Sequence, residues 1–551
     1  MLRMDDPLEK RVHDWIAGDP DPDDRRQLQG MLDTGLWDEL AERFSGRIAF
    51  GTAGLRAPMM AGPTGMNRLV VRQSAAGIAR YLVSQGLGDR GIVVAHDARH
   101  RSAEFAADCA EVVAAHGIPV VLAEEAVPTP VGVFSVGHLG VAAAIIITAS
   151  HNPPQDNGLK LFMGDGAQIV PPIDEHVAEA IDAVVADGVI IPDDVPARIT
   201  PLSHEVITAY LDSVRARYPR PEAPMTVAMT AMHGVGGSML RGLLSDLGYD
   251  VHVVAEQQRP DPDFPTVGFP NPEEPGATDL LAALVRRTEA RVGLALDPDA
   301  DRMAVVIPDG DGVRQLTGDE VGGLLAEWLL RDVVTSGDDR LVATTVVSSS
   351  RLGRIAARHG IHSAETLTGF KYLSRPALDN PGWTQVIAYE EAIGYAIGAD
   401  VHDKDGISAA VGMAALVSGL TAAGRTVPDM LDDLDRLDGA HVTRNFSLRY
   451  EGLGWRERRD ATVADLVANP PAHIGDDTVV EVTHLAPDVL RVDLDGGIRV
   501  IIRPSGTEAK LKCYCEAVEE AADGDVVGAR RRAAERLDGV ETALRSLLGG
   551  E

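Results

Sequence analysis

Val141-Ala142-Ala143-Ala144-Ile145-Ile146-Ile147-Thr148-Ala149-Ser150-His151-Asn152-Pro153-Pro154 passes from an unbroken apolar run into polar residues and two prolines. Such a run, rich in valine and isoleucine, reads as a strand of a parallel sheet buried on both faces, and the prolines stop a helical continuation. Open α/β sheets bind ligands beyond the carboxyl ends of their strands, which is where Ser150 falls. Thr148 and Ala149 are small enough to let a substrate approach the hydroxyl. Ser150 is thus a candidate phosphoryl-carrying nucleophile; the plainer reading is a serine in a turn or cap.

A second apolar run opens into Val292-Gly293-Leu294-Ala295-Leu296-Asp297-Pro298-Asp299-Ala300-Asp301-Arg302. Three carboxylates at alternate positions repel one another unless solvent or a cation screens them. Mg²⁺ uses such hard oxygen donors, one or two carboxylates together with phosphate oxygens. An acidic surface turn is the bland alternative. An EF-hand is excluded, because its sixth position wants Gly and its twelfth Glu, and here they are Arg302 and Pro308.

Val500-Ile501-Ile502-Arg503-Pro504-Ser505-Gly506-Thr507-Glu508 repeats the pattern with a guanidinium, two hydroxyls and a glycine amide, groups that suit a phosphate dianion or else make a hairpin turn with an exposed arginine. Val386-Ile387-Ala388-Tyr389-Glu390-Glu391-Ala392-Ile393-Gly394-Tyr395 places paired carboxylates at another strand end, either accepting hydrogen bonds from sugar hydroxyls or simply solvated. In Asp403-Lys404-Asp405-Gly406 the lysine is a phosphate contact, a proton donor, or a structural partner of its neighbours.

These four strand-to-loop segments, in this order, resemble the α-D-phosphohexomutase superfamily of phosphoglucomutases and phosphomannomutases. Further matches are Gly51-Thr52-Ala53-Gly54-Leu55-Arg56, Asn157-Gly158-Leu159-Lys160, Met232-His233-Gly234-Val235-Gly236 and Leu367-Thr368-Gly369-Phe370-Lys371. Two departures stand out: Ala392 where many relatives have serine, removing a hydroxyl contact to the sugar, and Ala509 where many have proline. The string Tyr-Glu-Glu-Ala-Ile-Gly-Tyr together with Asp-Lys-Asp-Gly resembles the branch that includes phosphopentomutases and sugar-bisphosphate synthases.

The resemblance implies four α/β domains around a central cleft, the first three with similar mixed, mostly parallel sheets and the fourth a smaller α+β domain. Boundaries are expected at 1–203 (phosphoserine), 204–315 (metal), 316–438 (sugar) and 439–551 (phosphate). It implies a two-step shuttle: phospho-Ser150 gives its phosphate to a sugar monophosphate, and the bound bisphosphate turns over and returns its other phosphate. Ser150, Lys160, Arg56 and His151 would be catalytic, with Lys160 the proton carrier if nearby cations lower its pKa. The phosphorylated Ser150, Asp297, Asp299 and Asp301 would hold Mg²⁺. Arg302, Thr368, Gly369, Lys371, Glu390, Glu391 and Lys404 would bind the sugar phosphate, and Arg503, Ser505, Gly506 and Thr507 its non-reacting phosphate. Glucose 1,6-bisphosphate, or an equivalent, would be the activator. The same residues leave open a phosphopentomutase or bisphosphate synthase, a phosphatase with Asp297 as nucleophile, and a non-catalytic sugar-phosphate binder.

The global numbers agree. A chain of 551 residues is too long for one core and suits about four domains. Strands are expected over 91–97, 226–230 and 341–347, and a helix over 103–115. Linkers are expected near 191–202, 309–317 and 437–443, and a long Pro-rich loop over 259–276. Fifty-one basic against 83 acidic residues, a net charge of −32, argue against a nucleic-acid surface, so anionic substrates need locally gathered cations. Three cysteines imply no disulfide framework, and no signal peptide or run of about 18 apolar residues is found, so the expected location is cytoplasmic, with small-molecule sugar phosphates as partners and neither nucleic acid nor membrane.

Overall fold

The computed structural model describes residues 6–50, 54–189, 198–337, 339–450, 454–486, 489–504 and 510–549. The chain forms two compact units, one of Met1–Leu316, Phe370–Pro381 and Ala392–Gly419, the other of Thr317–Gly369, Gly382–Glu391 and Leu420–Glu551.

In the first unit, the run from Val141 becomes strand Ala143–Ile147, all five residues buried. It pairs in parallel with Ile92–His96, which pairs in parallel with Val120–Leu122, and that strand with Ile199–Pro201. On its other side Asp156–Met163 runs antiparallel, followed by Leu55–Pro58. Helices Arg68–Ser84 and Ser102–Ala115 close one face of this sheet around Ile78, Leu82, Phe105 and Val113, all buried. Asn67 caps the first of them, its side chain accepting from Val70 N.

The second sheet repeats the scheme. Val292–Leu296 pairs in parallel with Thr226–Thr230, which pairs with Asp250–Val253, while Met303–Asp309 returns antiparallel. In both sheets a buried parallel strand leads through a loop into its antiparallel neighbour. Ser150 and the Asp297 segment sit in those equivalent loops, a placement that follows from strand ends facing the crevice of an open sheet.

In the second unit, Arg340–Thr345 lies between Thr384–Glu390 and His362–Thr366, all parallel. The fourth sheet is antiparallel, in the order Ala440–Arg449, Lys510–Glu519, Ile498–Pro504, Val489–Leu494, Asp477–Ala486, His473–Ile474. Helix Val526–Leu547 packs on it through Ala533, Leu537, Val540 and Leu544. Three sheets are thus mixed and mostly parallel, and the fourth is a smaller α+β layer.

The expected strands and helix are found as Ile92–His96, Thr226–Thr230, Arg340–Thr345 and Ser102–Ala115. Residues 259–276 hold no helix or strand. Two expected linkers are ordered instead. Gly312–Gln315 is a strand paired to Met303–Asp309, with Thr317 capping the next helix, because valine and glutamine there complete a hairpin. Near 437–443 helix Val427–Asp438 passes to strand Ala440–Arg449 through Gly439 alone. The third ends in the strand Ile199–Pro201, and its residues 190–197 lie outside the described set. Helices Asp6–Gly18, Pro22–Thr34 and Trp37–Arg43, around Val12, Leu28, Leu40 and Phe44, were not foreseen. Among the described residues no single helix is long and apolar enough to cross a membrane.

Candidate active site

Ser150 follows its strand with φ of 52°, in the left-handed region that a side chain enters only when its surroundings impose it. Its amide donates to Thr148 Oγ1 at 2.8 Å and its hydroxyl to Asp297 Oδ2 at 2.9 Å. His151 Nδ1 lies 3.3 Å from the same Oγ, and burial, then the Arg302 and Arg56 charges, hold its imidazole well below the usual range. Arg56 is exposed and donates to Asn152 Oδ1 at 3.0 Å.

Asp297, Asp299 and Asp301 are completely buried, each with a carboxylate oxygen within 4.8 Å of the others. Thr129 Oγ1 donates to Asp299 Oδ2 at 2.7 Å, and the Arg302 amide to Asp297 Oδ1 at 2.9 Å. The Met232-to-Gly236 motif forms the bed of this loop: Val235 N donates to Pro298 O at 2.9 Å, and a Cβ on Gly234 would lie 2.4 Å from Pro298 Cα. Asp299 Oδ1 and Asp301 Oδ1 are buried without a hydrogen-bond partner. Such orphaned hard oxygens are what a divalent cation satisfies, so the residues fit a metal.

Lys160 Nζ stands 2.9 Å from both Asp299 Oδ2 and Asp301 Oδ2. Burial disfavours its charge, but these carboxylates and Asp403 outweigh burial and raise its pKa. The expected lowering is therefore not found, because three carboxylates rather than cations surround the ammonium. Burial, followed by the charges of Asp299 and Asp301, pushes Asp297 well up. Burial would raise Asp299 too, but Lys160 and the hydrogen bonds from Asp297 and Thr129 hold it down. Lys404 Nζ lies 3.4 Å from Asp301 Oδ2 and 3.0 Å from Asp403 Oδ1, and Arg302 donates through Nη1 to the carbonyl of Ala392. That contact uses backbone, so alanine at 392 costs it nothing. The first unit thus brings Ser150, His151, Lys160, the three aspartates, Arg302 and Lys404 together. Lys371, elsewhere in the same unit, is 4% exposed, and its Nζ has no hydrogen-bond partner; burial lowers its pKa.

The second unit holds the other candidates. Glu390 is buried, while Glu391 donates from its amide to Ser348 Oγ at 3.0 Å. Thr368 and Gly369 follow strand His362–Thr366, with Gly369 at φ 117°. Arg503 donates to Tyr514 Oη at 2.8 Å, and its buried Nε has no hydrogen-bond partner. Ser505, Gly506 and Thr507 lie outside the described residues, as do Gly51, Thr52, Ala53 and Ala509. Sequence reasoning missed Thr129 and Arg99, which carry no motif of their own; Asp97 and Arg99 ending a buried strand were the only signal.

A strand-end hydroxyl, a buried carboxylate cluster and gathered cations are the groups that phosphoryl transfer uses. Residues 47–186, 208–310, 317–437 and 458–533 match the models of phosphoglucomutase/phosphomannomutase domains I, II and III, of alpha/beta/alpha type, and of the C-terminal domain. A probable phosphomannomutase of Haemophilus influenzae is 38% identical over 87% of this chain and 98% of its own. The human phosphopentomutase is 33% identical over 98% and 96%, and the human glucose 1,6-bisphosphate synthase 34% identical over 81% and 76%. The crystal structure of a family protein from Burkholderia thailandensis has the same fold, with a TM-score of 0.71 at 22% identity over 92% of this chain and 99% of that one. The chain belongs to the phosphoglucomutase/phosphomannomutase family and is an enzyme of its intramolecular phosphotransferase class.

Proposed function

We propose that the protein moves a phosphoryl group between the anomeric and terminal carbons of a hexose phosphate, glucose 1-phosphate and glucose 6-phosphate first, with mannose phosphate as the related hexose, through phospho-Ser150 and a bound bisphosphate. The observation that carries this is the Ser150 hydroxyl 2.9 Å from Asp297 Oδ2, beside two carboxylates with orphaned oxygens. In the first half-reaction the P–O bond to Ser150 breaks as one forms to the sugar hydroxyl, whose proton leaves; the second half reverses this with the other phosphate. Lys160, which its carboxylate partners keep protonated in the free protein, is the proposed proton carrier, able to release its proton where bound Mg²⁺ would compete for those carboxylates, and it is assisted by Arg56 and His151. Mg²⁺ held by Asp297, Asp299, Asp301 and the phosphoserine would neutralise charge on the transferring group. Glu390 and Glu391, with Arg302, Thr368, Gly369, Lys371 and Lys404, read the sugar phosphate, and Arg503, Ser505, Gly506 and Thr507 clamp the non-reacting phosphate. The four-domain division at 203, 315 and 438 assigns these tasks to successive domains. Glucose 1,6-bisphosphate is the proposed activator, because it phosphorylates Ser150.

A pentose phosphate is the second reading, favoured by the nearly full-length match to the human phosphopentomutase and by Ala392. A coupled assay with Mg²⁺ and catalytic glucose 1,6-bisphosphate, comparing glucose 1-phosphate, mannose 1-phosphate and ribose 1-phosphate, separates the two. Hexose turnover that Ser150→Ala abolishes is expected; ribose preference moves the assignment, and activity surviving Ser150→Ala overturns the phosphoserine mechanism.

A further inference from the structure

Arg99 lies where strand Ile92–His96 ends, next to the strand that carries Ser150, with His96 in register with Ile147. It is 4% exposed and reaches under the serine loop. Its Nη2 donates to the carbonyls of Ser150, at 2.6 Å, and Asn152. Its Nη1 donates to those of Pro153, at 2.8 Å, and Asp156, at 3.3 Å. The guanidinium also lies over the Phe264 ring, 5.0 Å from its centroid.

Asp97 orients this arginine. Its Oδ1 accepts from the Arg99 amide at 3.0 Å and from Ser102 Oγ at 2.7 Å, and its Oδ2 faces Arg99 Nε at 3.5 Å. On the other side of residue 150, Thr148 Oγ1 accepts from the Ser150 amide at 2.8 Å. The loop is thereby gripped from both ends of residue 150, at its N–H through Thr148 and at its C=O through Arg99.

This grip has a physical purpose. Ser150 at φ 52° pays a conformational cost that its own side chain does not offset, since the hydroxyl is turned toward Asp297. Four carbonyls of a loop containing two prolines converge on one point and need four N–H donors. Only the planar guanidinium fork supplies so many from a single side chain, and an ammonium on a flexible stem does not reach all four.

Resting on the phosphoserine reading above, we propose that Arg99, held by Asp97, is the positioning residue of the transfer loop, fixing the backbone of Ser150 so that its oxygen points at the aspartate cluster. Arg99 touches no substrate in this role. A misplaced nucleophile slows the chemical step and leaves binding of the sugar phosphate, made by other residues, intact.

The test compares wild type, Arg99→Lys and the milder Ser102→Ala, the last removing one hydroxyl from Asp97. With folding checked by circular dichroism and thermal midpoint, steady-state kinetics with the preferred sugar phosphate should show kcat reduced about 100-fold in Arg99→Lys and about 5-fold in Ser102→Ala, with KM within about 3-fold of wild type. Hydrogen exchange of residues 148–158 should quicken in both variants, more in Arg99→Lys. Should Arg99→Lys fail to fold, Ser102→Ala alone decides, by the same kcat and exchange readouts. Unchanged kcat with unchanged exchange in a folded variant overturns the proposal, as does a rise in KM at constant kcat. Ser150→Ala in the same series is the control for the underlying reading: if it keeps activity, phosphoserine chemistry fails, and the exchange measurement alone still decides whether Arg99 holds the loop.

Discussion

The Ser150 hydroxyl donates to Asp297 Oδ2 at 2.9 Å although 147 residues separate them in the chain. Each sits in the loop between a parallel strand of its own sheet and that strand's antiparallel neighbour, so the repeated strand scheme brings candidate nucleophile and carboxylate cluster face to face. The consequences are measurable.

Lys160 is the ammonium that compensates Asp299 and Asp301. Replacing it by methionine leaves two buried carboxylates facing each other, and a loss of about 3–5 kcal/mol in stability is expected by urea unfolding. Saturating Mg²⁺ should restore part of that loss by supplying the missing charge, while activity stays low.

Gly234 touches Pro298, beneath the metal-ligand candidates, so closely that a methyl group would lie 2.4 Å from Cα. Gly234→Ala must move the loop that bears Asp297 and Asp299. Titration calorimetry with Mg²⁺ or Mn²⁺ should show affinity weakened about 10-fold or more, and removing the metal with a chelator should abolish wild-type turnover.

Lys371 carries a buried ammonium with no hydrogen-bond partner. Burying a charge without a hydrogen bond costs stability in the free protein, and in the proposed reading the substrate's phosphate would offset that cost. Lys371→Met is expected to hold or raise the thermal midpoint while increasing KM for the sugar phosphate about 10-fold. A lower midpoint with unchanged KM would show that the side chain is structural.

The second unit has opposed titrations. Burial pushes Asp319 up to about 7, whereas for Glu516 the hydrogen bond from His441 and the Arg499 charge overcome burial and hold it at about 2. A raised acid binds its proton more tightly folded than unfolded. Stability should therefore fall between about pH 4 and 7, by up to about 1.4 kcal/mol per unit for this group. A lowered acid acts in the other sense, its contribution being lost as pH falls from about 4.5 toward 2. Asp319→Asn should flatten the upper limb and Glu516→Gln the lower one in unfolding curves taken across this range.

Much of this was legible because it is local. An apolar run closed by Ser150, or by Asp297, Asp299 and Asp301, declares a buried strand and its loop within a dozen residues, and alternation along a strand end sets which side chains share a side. The family motifs are of this kind, and they located the candidate nucleophile and metal ligands. Gly312–Gln315 was read as a linker because four residues in a hairpin carry little periodic signal, and the N-terminal helices have no motif to announce them.

What the sequence by itself determined is the set of chemical groups and the strand ends that display them, since burial of apolar runs and the stopping power of proline act over short range. Only the tertiary structure decided the charge states and the supports: Lys160 became an ion-paired ammonium because Asp299 and Asp301 meet it from another sheet, and Arg99 became the grip on Ser150 because a neighbouring strand ends beneath it. Both effects depend on distances between groups far apart in the chain, and those distances exist only once the sheets have formed.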